Sequence, residues 1–175
     1  MKELMVYFWF YSFLGYLLEK LFAAATNSLH QVRRCFAALP LCPVYGLGML
    51  AVLALPEGIR NSWWLPLFGG AAATAVEYAV HWGYEQFLGV AFWDYSALAG
   101  NIRGRVSVPF ALCWGVLTAA AVWWVQPWAA ALAAGVSPAV VYALLFPFTA
   151  DAVLSFHILR ATGDIDALSY TTWKR

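Results

Sequence analysis

Apolar residues in this chain gather in long runs, and the polar positions fall either in short joints or at helical intervals within the runs. The runs predict an all-α polytopic transmembrane bundle of about five spans, near residues 5–25, 36–56, 63–89, 106–126 and 137–159. Crossing about 30 Å of hydrocarbon takes roughly 20 such residues. Barrel strands would alternate apolar and polar positions, and these runs do not. The second run is the weakest. Val44 to Leu55 is too short to cross alone, so the span begins near Phe36 or Leu39 and carries Pro40 and Pro43 inside it. Broken helices of that kind are tolerated where backbone is buried or lines a cavity. The longest polar interruption, Phe92 to Arg105, joins the third run to the fourth and packs aromatic, acidic, amide and basic groups together.

Three runs carry polar stripes. Ser12, Gly15, Tyr16 and Glu19 follow i, i+3, i+4, i+7, one face of a helix. Glu77, His81 and Glu85 recur every four residues, and Asp151 and Ser155 are i, i+4. A carboxylate inside an apolar run cannot face lipid cheaply, so these stripes face the bundle. Glu77 and His81 could begin a metal ladder. One helix supplies too few ligands, and His157 lies almost opposite Asp151, so no metal or other cofactor is expected.

Composition narrows the class. Hydrophobic residues make up 63% of the 175 and charged residues 11%, against about 25% charged in soluble domains. A net charge of +1 gives no footprint for nucleic acid. Cys35, Cys42 and Cys113 are odd in number and form no Cys-x-x-Cys pair. Lys2, an apolar run and Ala23-Ala24-Ala25 imitate a signal peptide, but Glu19-Lys20 interrupts the run, which reads as a retained helix.

Charge asymmetry orients the bundle. With five spans, Lys2 and Arg60 fall on one side, and Arg33, Arg34, Arg103, Arg105, Arg160, Lys174 and Arg175 on the other. The positive-inside rule then puts the amino terminus outside and the carboxyl terminus in the cytoplasm of a multi-pass cell-membrane protein. Trp9, Trp63, Trp64, Trp123, Trp124 and Trp128 fall at the outer boundary of that arrangement. At 1.5 Å per residue, Glu19 and Asp151 lie roughly 10 Å and Glu77 roughly 15 Å from the cytoplasmic helix ends. Three helices thus bring acids to similar depth beneath the 92–105 connector.

Tyr11-Ser12-x-x-Gly15-x-x-x-Glu19, Pro40-x-x-Pro43-Val44-Tyr45-Gly46-x-Gly48, Glu77, Trp93-Asp94-Tyr95-Ser96 with Asn101 and Gly104, and Trp114-Gly115 resemble the CmpB-type putative ABC-transporter permease family. The transmembrane protein 229 group of animals is similar. Asp151 resembles the acidic position of that family's last helix. Tyr16 stands where the family has Trp, and Val32-Arg33-Arg34-Cys35 replaces its Asn-Arg-Gly approach. The resemblance implies transport. The chain has no Gly-x-x-x-x-Gly-Lys-Ser/Thr motif, so an ATPase would be a separate chain.

The leading expectation is a transport component with an acidic, cytoplasm-facing cavity for a cation, a proton or a cationic headgroup. Its binding set is Glu19, Glu77 and Asp151 with Ser12, Tyr45 and Asn101. Trp93, Asp94, Tyr95, Ser96 and Arg103 gate the cavity or pair with its acids. Besides the lipid bilayer, its partners would be an ATPase or other membrane subunit, or a second copy of the chain. The rivals are a non-catalytic scaffold, in which the buried charges pair with one another, and a lipid-modifying enzyme. The enzyme reading lacks a nucleophile–base pair, since neither Ser96 nor Cys113 has a histidine at readable spacing.

Overall fold

The computed structural model describes residues 1–26 and 35–168 and is all-helical over them, apart from one bridge between Ile102 and Val106. The basic joint 31–34 and the end of the tail, with Lys174 and Arg175, lie outside the described residues. Seven α-helices follow in order: α1 Lys2–Ala25, α2 Pro43–Leu53, α3 Glu57–Arg60, α4 Leu65–Leu88, α5 Val108–Ala120, α6 Gln126–Gly135 and α7 Pro138–Thr162.

Helix ends follow local chemistry. Proline opens α2 at its first position, where the missing N–H has no helical acceptor to lose. Ser137 caps α7 by accepting the Val140 amide. Gly89 and Gly163 end α4 and α7 in the left-handed region, at φ 69° and 63°.

Two elements differ from the sequence reading. The second run is helical only from Pro43 to Leu53, and residues 35–42 are irregular. Each proline disfavours helical geometry in the residue before it, so Pro40 and Pro43 keep Leu39 and Cys42 out of a helix. The segment is pinned instead by Cys42 N–H donating to Ser12 O at 2.8 Å. The fourth run does not stop near residue 126. It passes through a π-helical turn, Ala121–Val125, and continues as α6 to Gly135. Pro127 has no N–H for the Trp123 carbonyl four residues back, which is where the ladder widens.

The combined 28-residue helix Val108–Gly135 and the 25-residue α7 are long and apolar enough to cross a membrane. Helices α1 and α4 have 24 residues each, about 36 Å, and give part of their faces to polar groups.

Helix α2 packs between α1 and α4, and α5 lies along α4. Small residues set these approaches. A Cβ on Gly70 would come within 2.9 Å of Gly115 Cα, so the α4 and α5 backbones touch there. A Cβ on Gly15 would collide with the Tyr45 ring, so α1 seats that ring directly on its backbone. Helix α1 also contacts α6, with Tyr11 Oη donating to Gln126 Oε1 at 2.8 Å. At the opposite end α1 and α5 meet through Phe22 and Phe110, ring centroids 6.4 Å apart. Between these two contacts they stand apart, with α2 and α4 behind.

Candidate functional site

The space between α1 and α5 is a cavity of about 520 Å³. Glu19 on α1, Tyr45 on α2, Glu77 on α4, and Trp93 and Tyr95 on the connector line it. Trp114 of α5 completes this end, and Leu18, Phe22, Val44, Phe110, Leu112 and Val116 supply apolar wall.

Glu77 is 4% exposed. Tyr95 Oη donates to its Oε1 and Trp114 Nε1 to its Oε2, each at 3.0 Å. Both donors are neutral, and no cation pairs with Glu77 among the described residues. Glu19 accepts from Tyr45 Oη at 2.8 Å. Tyr45 packs on Trp114 with centroids 5.0 Å apart, and Tyr95 stacks on Phe110 at 4.4 Å.

The Glu77, His81, Glu85 stripe fastens the connector onto α4. Glu77 holds Tyr95. His81 Nε2 lies 2.8 Å from Trp93 O, an acceptor, so the proton is on Nε2. His81 Nδ1 lies 3.5 Å from Glu85 Oε1. Glu85 Oε2 pairs with Arg105, 2.6 Å from Nη2 and 2.8 Å from Nε. Arg105 Nη1 also donates to Tyr78 Oη at 2.8 Å. Burial opposes the charge on Arg105, but the Glu85 and Tyr78 oxygens outweigh it and hold the guanidinium above its usual range. With the stripe engaged in this way, no group of three metal-ligating side chains converges among the described residues, around Glu77 and His81 or elsewhere.

The connector's other polar residues shape its own turns. Asp94 Oδ1 accepts the Ser96 amide at 2.8 Å and Oδ2 the Ser96 hydroxyl at 3.0 Å. Asn101 donates to Ser96 O and Leu98 O and accepts the Gly104 amide. Arg103 and Gly104 both have positive φ, 54° and 70°, and Arg105 N–H closes the turn onto Ile102 O at 3.1 Å.

The expected site therefore divides. Glu19, Glu77, Tyr45, Trp93 and Tyr95 share the cavity. Asp151 does not line it: its Oδ1 accepts the amides of Ala38 at 3.0 Å and Leu39 at 3.3 Å, anchoring the irregular segment to α7. Ser12 is fully buried under Gly46, with no hydrogen-bond partner for Oγ among the described residues. Asp94, Ser96 and Asn101 stay within the connector. Arg103 is exposed at its turn, and the connector arginine that pairs with an acid is Arg105. Trp114 is the cavity residue that sequence reasoning leaves without a role. Its signal is chemical, since a buried indole N–H needs an acceptor, and Glu77 Oε2 supplies it.

The family described as "Putative ABC-transporter type IV", the CmpB type, matches residues 6–156. The chain belongs to this family. That span takes in every cavity residue, the whole connector and the Asp151 anchor. No curated protein and no solved structure matches the chain.

Proposed function

We propose that this chain is the membrane-embedded component of a transport system, and that its cavity takes a positively charged cargo at Glu77. Membership of an ABC-transporter-type family and two helices apolar enough to cross a bilayer support the coarse reading. The observation that carries the finer one is a buried carboxylate, held among the described residues by two neutral donors, facing an open space lined by aromatic rings. Ionisable groups at such depth mark substrate or ion routes. In this reading α1, α4, α5–α6 and α7 cross the membrane. Helix α2 with residues 35–42 forms a shortened fifth pass, and the connector faces the cytoplasm of a multi-pass cell-membrane protein. A separate ATPase chain supplies the energy.

The test uses everted membrane vesicles from cells producing the chain, energised with ATP, with ethidium as the fluorescent cation. Movement of ethidium that depends on the chain is expected, lost in Glu77→Gln and kept in Glu57→Gln, whose carboxylate is exposed on α3. Equal movement in wild-type, Glu77→Gln and control vesicles would overturn the reading.

A scaffold reading draws on two other observations. Glu85 with Arg105, and Asp151 with the Ala38 and Leu39 amides, are buried polar groups satisfied inside the fold. Glu77 differs in lining a space.

A further inference from the structure

The cavity opens sideways. Its outer wall is made by side chains that point away from the bundle: Leu112 and Val116 on α5 are 68% and 70% exposed, and Leu18 on α1 is 38% exposed. None of these three is charged or polar, and among the cavity's exposed lining residues only Cys113, with its thiol, is not hydrocarbon. A slot with such edges, between two membrane helices, meets acyl chains and not water. The carboxylate lies at the inner end of this slot.

We propose that the ligand is an amphiphile with an ammonium headgroup and a single long apolar tail, entering from the bilayer between α1 and α5. This rests on the reading of the cavity as a site for positively charged cargo, and narrows it to one chemical class. Four features favour it over the alternatives. The volume, about 520 Å³, falls in the range of about 300–1,000 Å³ typical of organic ligand sites. A bare Ca2+ or Mg2+ needs six or more oxygens at close range, and no three metal-ligating side chains converge here among the described residues. Tyr45, Trp93, Tyr95 and Trp114 line the same cavity as Glu77, and aromatic rings beside a carboxylate suit an alkylated ammonium group. No Lys, Arg or His lines the cavity among the described residues, so none of those residues offers a phosphate a cation. That argues against zwitterionic phospholipid and for a headgroup with net positive charge.

The headgroup and the tail make separable demands. Glu77 Oε1 and Oε2 each accept one hydrogen bond and keep lone-pair capacity for the cation. The tail lies along Leu18, Leu112 and Val116 and leaves through the slot. Filling the slot blocks the tail without touching the carboxylate.

Native mass spectrometry of the purified chain in a neutral maltoside detergent tests this, with dodecyltrimethylammonium, tetramethylammonium and dodecanol as probes. Dodecyltrimethylammonium should bind one per chain, at least about tenfold tighter than either of the other two, as expected when charge and tail each contribute upward of 1.4 kcal/mol. Glu77→Gln should weaken it by a similar factor. Val116→Trp, at a position where a larger side chain points into lipid, should weaken the dodecyl compound and leave tetramethylammonium unchanged. Circular dichroism of each variant reports folding, and the Val116→Trp arm stands even if Glu77→Gln fails to fold. Tetramethylammonium binding as tightly as the dodecyl compound, in a Glu77-dependent manner, would overturn the amphiphile inference and leave the cation site standing. Dodecanol binding as well as the ammonium compound, or no Glu77-dependent binding of either cation, would overturn both.

Discussion

At the scale of single residues, the chemistry turns on which polar groups are held by the fold and which face open space. Glu77 does both. Its oxygens each have one donor from a different element, so Trp114→Phe should remove the α5 donor and cost about 1–3 kcal/mol, the usual range for a buried group left short of a partner. Thermal unfolding in detergent reads this, and an unchanged melting temperature would mean the indole bond contributes nothing. The two connector arginines make a second pair of predictions. Arg105→Gln should lower the melting temperature, because Glu85 and Tyr78 lose their cation. Arg103→Gly should leave it unchanged or raise it, because φ of 54° is better suited to glycine. The reverse order would contradict the pairing. Glu77 is legible in the sequence because a carboxylate within an apolar run has to be held by something. The choice of Arg105 over Arg103 is not legible. It depends on a tight turn that directs one side chain to α4 and the other to solvent, and two arginines two residues apart look alike in a charge count.

At the scale of elements, the stripe on α4 is a fastening for the connector: Glu77 to Tyr95, His81 to Trp93 and Glu85 to Arg105. The four-residue spacing is visible in the sequence, but its meaning comes from the strand of chain laid across it, and spacing alone fits a metal ladder equally well. Asp151 shows the same limit. Its depth matches that of the cavity acids, yet it faces the amides of Ala38 and Leu39, whose chain is kept from helix by Pro40 and Pro43. Asp151→Ala should therefore cost about 1–3 kcal/mol. It should also speed hydrogen exchange at Ala38 and Leu39 while leaving the connector amides unaffected. Faster exchange spread over the whole chain, or none at those two amides, would contradict the anchor. The continuation of the fourth run through the π turn is hidden for a similar reason. Gln126-Pro127 beside Trp123, Trp124 and Trp128 reads as the end of a span, whereas a proline early in a helix disturbs only the turn before it.

At the scale of the whole molecule, α2 fills one side of the gap between α1 and α5, α4 and the connector close two more, and the last side is open. The all-helical class is plain from the runs themselves. The convergence of acids is only partly legible, since helix depth places residues at a level but says nothing of the direction in which they point; two of the three expected acids share the space. The central claim is that Glu77 stands in a cavity reached from the bilayer. Dicyclohexylcarbodiimide, an apolar reagent that modifies carboxyl groups from within lipid, tests this when applied to membranes containing the chain and followed by peptide mass spectrometry. Modification at Glu77 that outpaces Asp151 and is slowed by dodecyltrimethylammonium is the predicted result. Modification of Asp151 at the same rate, or a Glu77 that reacts only with a water-soluble carbodiimide, would contradict it.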